Sequence, residues 1–379
     1  MPERFHGPLP THAHDHGTSG HYDDHCVPGD RGGTHPELPQ ARLFPAEMQA
    51  LPWHQPLNEP VWTDAYEHLR DDDPVIGLYL SGQARALPWW IMKNHHVANL
   101  AFDDLPVLVT LCEMCSGSSA FRAELEGHRL MFRLRGQYNG TILLEEDATQ
   151  TMWSPFTGVG LTGAMRGMAL ERLPLSQCLW SEWLAMHPTT RVLYGEQTQR
   201  EGHGSGFSPG SPGFLQSFLG TLLRPVDERL EHNTLVLGVE IGAKARAYPL
   251  ERLAGIGPVL NDSLSDTEIV VMSRPGTLQA LAFHRRLGDR VLTFGSAETG
   301  DVYDHETSSV WNVMGEAVSG PLAGTQLGYV NSGVEEWYVF AAYHPDAEIF
   351  GPISSVTASS DNRERVQATK SGLSYSFNW

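Results

Sequence analysis

Two stretches of this chain lie over one another with few gaps, and that internal repeat restricts the fold more than any other feature of its 379 residues. The run from Pro74 to Trp89 reads against the run from Leu235 to Leu250, pairing Gly77 with Gly238, Arg85 with Arg246 and Pro88 with Pro249. Further on, Asn99 meets Asn261, Phe121 meets Phe283, Phe132 meets Phe294 and Trp153 meets Trp311. Both copies close on a tryptophan, Trp180 or Trp337, followed by His187-Pro188 or His344-Pro345. The offset drifts only from 161 to 157, so few insertions separate the copies. Chance does not hold this many Trp, Gly and Pro in register. The expected fold is therefore two tandem, pseudo-equivalent units from an internal duplication.

Each copy opens with a period-two strand, Val75, Gly77 and Tyr79 on one face and Ile76, Leu78 and Leu80 on the other. A second strand holds Arg85, and a Pro-started segment from Pro88 predicts a short helix. Strands are predicted at Val107–Leu111, Ser118–Phe121, Arg129–Leu134 and Thr141–Leu144. Each copy ends in a helix-like stretch, Leu179–Met186 or Glu335–Tyr343, stopped by its His-Pro pair. With 38 Gly and 25 Pro to supply turns, the fold class is α+β and strand-rich. The chain divides into a His-rich, featureless head (1–40), copy one (41–200), a Gly/Ser/Pro linker (201–232), copy two (233–353) and a polar tail (354–379).

Positions shared by the copies are fold determinants, so chemistry is sought where the copies differ. Only copy one carries Cys112-Glu113-Met114-Cys115, after the apolar run Val107–Leu111. Two thiols at that spacing chelate a soft or borderline metal, close a redox disulfide, or are inert packing side chains. A thioredoxin-like helix is not expected after them, because Ser116-Gly117-Ser118-Ser119 is poor helix sequence. Copy one alone also has His95-His96, whose side chains diverge on either a strand or a helix. An acid-x-x-Thr-x-Thr/Ser-x-Trp pattern occurs twice, with Glu146 before Trp153 and Asp304 before Trp311. It reads either as a turn, the acid bonding local backbone, or as a general base. In the head, His12, His14 and His16 alternate in a pattern that can hold zinc, nickel or copper loosely.

These residues in combination resemble the domain of unknown function 3179 family. The resemblance rests on Arg85-Ala86-Leu87-Pro88, His95-His96-Val97-Ala98-Asn99, Cys112-Glu113-Met114-Cys115, Asp304 to Trp311, and Gly320-Pro321-Leu322-Ala323-Gly324. It covers roughly residues 50 to 350. Three departures stand out: His96 where the family has Glu, Glu-Met between the cysteines where it has Pro-Leu, and Glu146 where it has Asp. The resemblance implies a unified fold and no particular activity.

With 26 Lys and Arg against 45 Asp and Glu, the formal charge of −19 argues against a nucleic-acid partner or an anionic membrane. The beginning of the sequence lacks a signal-like apolar region, and four cysteines make no disulfide scaffold, so a soluble cytoplasmic protein is expected. The leading functional expectation is a metal-dependent enzyme, redox or lyase-like, acting on a small molecule. Cys112, Cys115 and His95 would hold copper, zinc or iron, and Asp304 or Glu146 would move protons. Two alternatives stay open: a non-catalytic metal-handling protein fed by the His-rich head, and a metal-free thiol oxidoreductase.

Overall fold

Glycine at the centre of the first strand lets a helix lie against it, and the chain uses this device once in each half. The computed structural model describes residues 33–351 apart from 59, 65 and 196–217. In the first half, β1 (Pro74–Leu80) and β2 (Gln83–Pro88) form an antiparallel hairpin. After it come α1 (Trp89–His95), β3 (Val97–Phe102), β4 (Leu105–Cys112) and β5 (Gly117–Arg122). Then follow β6 (Phe132–Tyr138), β7 (Thr141–Glu146), β8 (Met152–Trp153) and β9 (Arg172–Leu173). The half closes with β10 (Ser176–Leu179), α2 (Trp180–Met186) and β11 (Arg191–Leu193). Three sheets result, ordered β10-β1-β2-β11, β9-β5-β4-β3 and β6-β7-β8, each extended by a two-residue edge strand.

The second half runs in the same sequence. It has β12 (Leu235–Ile241), β13 (Lys244–Pro249), α3 (Leu250–Ile256), β14 (Val259–Leu264), β15 (Thr267–Ser273) and β16 (Ala280–His284). Next are β17 (Phe294–Ser296), β18 (Val302–Asp304), β19 (Val310–Trp311) and β20 (Tyr329–Val330). It ends with β21 (Ser332–Glu336), α4 (Trp337–Tyr343) and β22 (Glu348–Ile349). Its sheets are ordered β21-β12-β13-β22, β20-β16-β15-β14 and β17-β18-β19, the last extended by Ala317–Ser319. In each half the last strand of the hairpin sheet pairs in parallel, β2 with β11 and β13 with β22. The fold is strand-rich, with a few short helices. Among the described residues no helix is long and apolar enough to cross a membrane.

Several residues that match between the two halves make the same contacts in each. A Cβ on Gly77 would land on the indole of Trp183 in α2, and one on Gly238 would land on the ring of Phe340 in α4. Asn99 accepts a hydrogen bond from the Phe132 amide (3.0 Å) and donates to the Phe132 carbonyl (2.9 Å), stitching β3 to β6. Asn261 repeats both bonds with Phe294, at 2.9 and 2.7 Å. Trp153 meets Phe132 edge to face at 5.8 Å, and Trp311 meets Phe294 likewise at 5.6 Å. Arg85 lies over the rings of Trp62 and Phe102, whereas Arg246 is paired with Asp262 and Glu348. Cutting Asn99 to Ala strands a buried N–H and a buried carbonyl at once. It is expected to cost about 2–3 kcal/mol in a urea melt. Asn261→Ala should cost less, because Asn261 is only half-buried and water can reach its partners.

The ends of the units differ from the expected boundaries. Residues 1–32, 196–217 and 352–379, which hold most of the head, much of the linker and nearly all of the tail, lie outside the described residues. Residues 33–40, expected as part of a featureless head, carry Leu38 into a small apolar cluster with Leu43, Leu143 and Met152. One leucine was too little to register as a period. Deleting residues 1–40 is therefore expected to lower Tm measurably more than deleting 1–32, by the burial of that side chain. Residues 218–223 of the expected linker dock on the β6–β7 turn. There Thr221 Oγ1 accepts from the Gly140 amide (3.1 Å) and Asn139 Oδ1 accepts from the Leu223 amide (3.1 Å).

The two halves share their cores. α4 of the second half buries Trp337, Tyr338, Val339 and Phe340 in a cluster with Val97, Phe121, Phe132 and Trp153 of the first. Phe156 stacks on Tyr343 at 4.4 Å across the same junction.

Candidate functional site

Strand β4 is apolar along its length and ends at Cys112, where a single 3-10 turn, Glu113–Cys115, reverses the chain. Ser116 takes a left-handed conformation (φ 52°) to close the turn, and Gly117 opens β5 opposite Cys112. Both thiols are free and buried, Cys112 at 4 % exposure and Cys115 at 2 %. The Cys115 Sγ lies 3.8 Å from the Cys112 carbonyl and 3.7 Å from Thr141 Oγ1 on β7.

Electrostatics make the two sulfurs unequal. Burial pushes the Cys112 thiol up. Hydrogen bonds from the Cys115 thiol, the Thr141 hydroxyl and the backbone N–H groups of Cys115 and Ile142 outweigh it and bring Cys112 down to about 7. Cys115 is held well above the usual thiol value by burial and by the Cys112 sulfur beside it.

Acidic groups crowd the pair. Burial raises Glu113 to about 7, against the attraction of Lys93. From the second half, Glu336 at the end of β21 reaches Ser116, whose hydroxyl donates to Oε1 at 3.5 Å. Burial and then the Cys112 sulfur raise Glu336 to about 8. Tyr338 of α4, fully buried, donates its hydroxyl to the Gly140 carbonyl at 3.0 Å and has its own pKa raised well up by burial and by the two sulfurs. Thr141, Glu336 and Tyr338 were not among the residues expected from the sequence. The readable signal was an acidic pair, Glu335-Glu336, set between Val334 and Trp337.

Glu335 points away from Glu336 and shares the space above Gly238 and Gly333 with Arg172. Burial raises it from 4.5 to about 8, against the pull of Arg172. A carboxyl whose folded pKa is raised binds its proton more tightly when folded. Its contribution is complete below pH 4.5 and is lost as pH rises through 8. Glu335→Gln should shrink the loss of stability between pH 5 and pH 8, as read from urea midpoints at the two pH values.

The remaining expected site residues stand elsewhere. His95 ends α1 and its Nδ1 meets the Gln55 carbonyl at 2.8 Å. His96 follows in a left-handed cap (φ 58°), with Nδ1 at 3.2 Å from the Leu111 carbonyl. Its ring lies 6.1 Å from that of His54. Burial lowers both His54 and His96 to about 4, so both rings are neutral at pH 7. Among the described residues no group of three or more His, Cys, Asp or Glu is placed to hold a metal ion. The expected Cys112, Cys115 and His95 trio is not assembled.

Asp304 and Glu146 sit in the turn geometry that their pattern also allowed. Asp304 is fully buried and accepts from the Thr307 amide (2.5 Å), the Thr307 hydroxyl (2.8 Å), the Ser309 amide (3.2 Å) and Trp311 Nε1 (2.9 Å). Glu146 accepts from the Ala148 amide (2.7 Å), the Thr149 amide (2.8 Å) and the Thr149 hydroxyl (2.7 Å). With their oxygens committed to local donors and shut off from solvent, neither is arranged as a general base.

The site thus combines a strand-to-turn dithiol from one half with a carboxyl and a phenol from the other. The chain belongs to the protein family described as Protein of unknown function (DUF3179), which it matches over residues 55–347. No curated protein and no solved structure matches it.

Proposed function

We propose that Cys112 and Cys115 form a dithiol–disulfide couple that exchanges with small disulfide-bearing molecules. The observation that carries this reading is geometric: two free, buried thiols three residues apart meet at one strand-to-turn corner, with the Cys115 Sγ 3.8 Å from the Cys112 carbonyl and 3.7 Å from Thr141 Oγ1. In the reaction, the Cys112 thiolate attacks one sulfur of a disulfide RSSR. A Cys112–S–S–R bond forms and RS⁻ leaves, to be protonated by solvent. Cys115 then loses its proton and attacks the Cys112 sulfur, releasing the second RS⁻. Two electrons pass to the substrate, which ends as two thiols, and the protein ends as the Cys112–Cys115 disulfide. Burial of both sulfurs favours small disulfides over protein ones.

The metal-dependent reading, with copper, zinc or iron, needs ligands besides two thiolates, because a structural zinc site uses four. Among the described residues none is placed to join them. One experiment separates the two readings. The full chain, purified without an affinity His-tag, is equilibrated with glutathione buffers, and its thiols are trapped and weighed while its metal content is measured. A reversible loss of two hydrogen atoms (two protons and two electrons, the electrons passing to glutathione disulfide) linking Cys112 to Cys115, without stoichiometric metal, supports the couple. Stoichiometric metal released by Cys112→Ser would replace it with a metal site.

We also infer that the two halves descend from one ancestral unit. In support, the three sheets keep one strand order, and Asn99 and Asn261 make the same paired bonds. On this reading the second copy lost the thiols and supplies Glu336 and Tyr338 to those of the first.

A further inference from the structure

Where β5 and β10 of the first half face β16 and β21 of the second, a small, partly open cavity remains. Its walls include Ser118, Arg172, Gln177, Ala280, Tyr329 and Ser332. The walls leave about 10 Å³ for the centre of a water molecule. That is about the least space in which one water can sit.

Two polar atoms in this wall lack a protein partner. Ser118 Oγ and Gln177 Oε1 are both shut off from solvent and make no hydrogen bond to any described residue, in side chains only 3 % and 4 % exposed. The orientation of the Gln177 amide is fixed, because its Nε2 donates to the Val334 carbonyl at 2.9 Å and the reverse orientation would set oxygen against oxygen. Its Oε1 therefore requires a donor. The neighbouring candidates are engaged: Arg172 donates to the Phe156 carbonyl and to Ser119 Oγ, each at 3.2 Å, and Tyr329 donates to the Ser332 carbonyl. A ligand here must be no larger than one water, must donate to an amide oxygen, and must exchange a bond with a hydroxyl.

We propose that this cavity is a built site for one resident water, which donates to Gln177 Oε1 and pairs with Ser118 Oγ. The water holds the amide in the orientation from which Nε2 reaches Val334, and so fixes β10 against β21 across the junction of the halves. Nothing in this proposal depends on the chemistry of the thiols.

The sign of one substitution tests it. If Ser118 pairs with a water, Ser118→Ala in the full chain removes a satisfied partner and Tm falls by about 2 °C or more. If the hydroxyl is unpaired, the same change relieves a buried polar group, and Tm stays or rises. A high-resolution crystal structure of the unsubstituted chain supplies the second measurement and stands even if the variant fails to fold. It should show a density peak within about 3.2 Å of both Gln177 Oε1 and Ser118 Oγ. An unchanged or raised Tm, or a cavity without that peak, overturns the proposal.

Discussion

Cys115→Ser is expected to give a full-length protein that captures one half of a small aromatic disulfide at Cys112 and stops there. Cys112→Ser should capture more slowly, because burial still raises the Cys115 thiol. The argument is one of ionisation. At pH 7 a thiol with a pKa of about 7 is half thiolate, whereas each unit above that lowers the reactive fraction tenfold. Cys115 lies well above the usual thiol value, so it is nearly all protonated and attacks only a sulfur already beside it. Serine at 115 keeps a hydroxyl donor for Cys112 but has no nucleophile to resolve the mixed disulfide. The capture rate in that variant should rise with pH and level off above pH 7. The measurement is release of the coloured thiol, with the adduct weighed by mass spectrometry. Equal rates for the two variants would show that the sulfurs are not differentiated.

The second large effect is on stability. Gly77→Ala and Gly238→Ala are each expected to cost about 3 kcal/mol or more, and either can prevent folding. Neither position has a special backbone angle, so the penalty is purely steric. A methyl at Gly77 occupies the place of the Trp183 indole, which is fully buried and hydrogen-bonded through Nε1 to Thr190 Oγ1 at 2.8 Å. At Gly238 the obstacle is the Phe340 ring, with Glu335 beside it. A double-mutant cycle isolates the clash: Gly238→Ala with Phe340→Leu should be less destabilised than the sum of the single changes. Additive losses would mean that the glycine serves some purpose other than close approach.

Much of this was readable because like residues recur in register along the two halves of the sequence. The pairing of Gly77 with Gly238, and of Asn99 with Asn261, marked positions whose contacts turn out alike. Element ends set by Pro and His-Pro also fell within a few residues of expectation, since those residues act on their immediate neighbours. The site was less legible. The thiols were visible as a motif, but their surroundings come from Glu336 and Tyr338, more than two hundred residues away. No local period encodes which face of one half meets the other. Asp304 and Glu146 show the reverse case. There a turn pattern was legible, and the following Thr and Ser residues satisfy the acids locally instead of leaving them for chemistry. His95 was expected as the imidazole completing a ligand set with the two thiols, whereas at the end of α1 its Nδ1 meets the Gln55 carbonyl.

The placement of α4 against the first-half strands has a consequence for the order of events during synthesis. Cys112 and Cys115 leave the ribosome about 220 residues before Tyr338 does. At ordinary translation speeds that interval lasts on the order of ten to forty seconds. Throughout it the nascent chain holds the dithiol without the helix that covers it, exposed to cellular oxidants and metals. Only when the last helix emerges do the sulfurs acquire Tyr338 and the apolar cover of that helix. The cover over the dithiol is thus completed at the end of the chain's making, and a truncation before Trp337 is expected to leave both thiols more accessible to a thiol reagent than in the full chain.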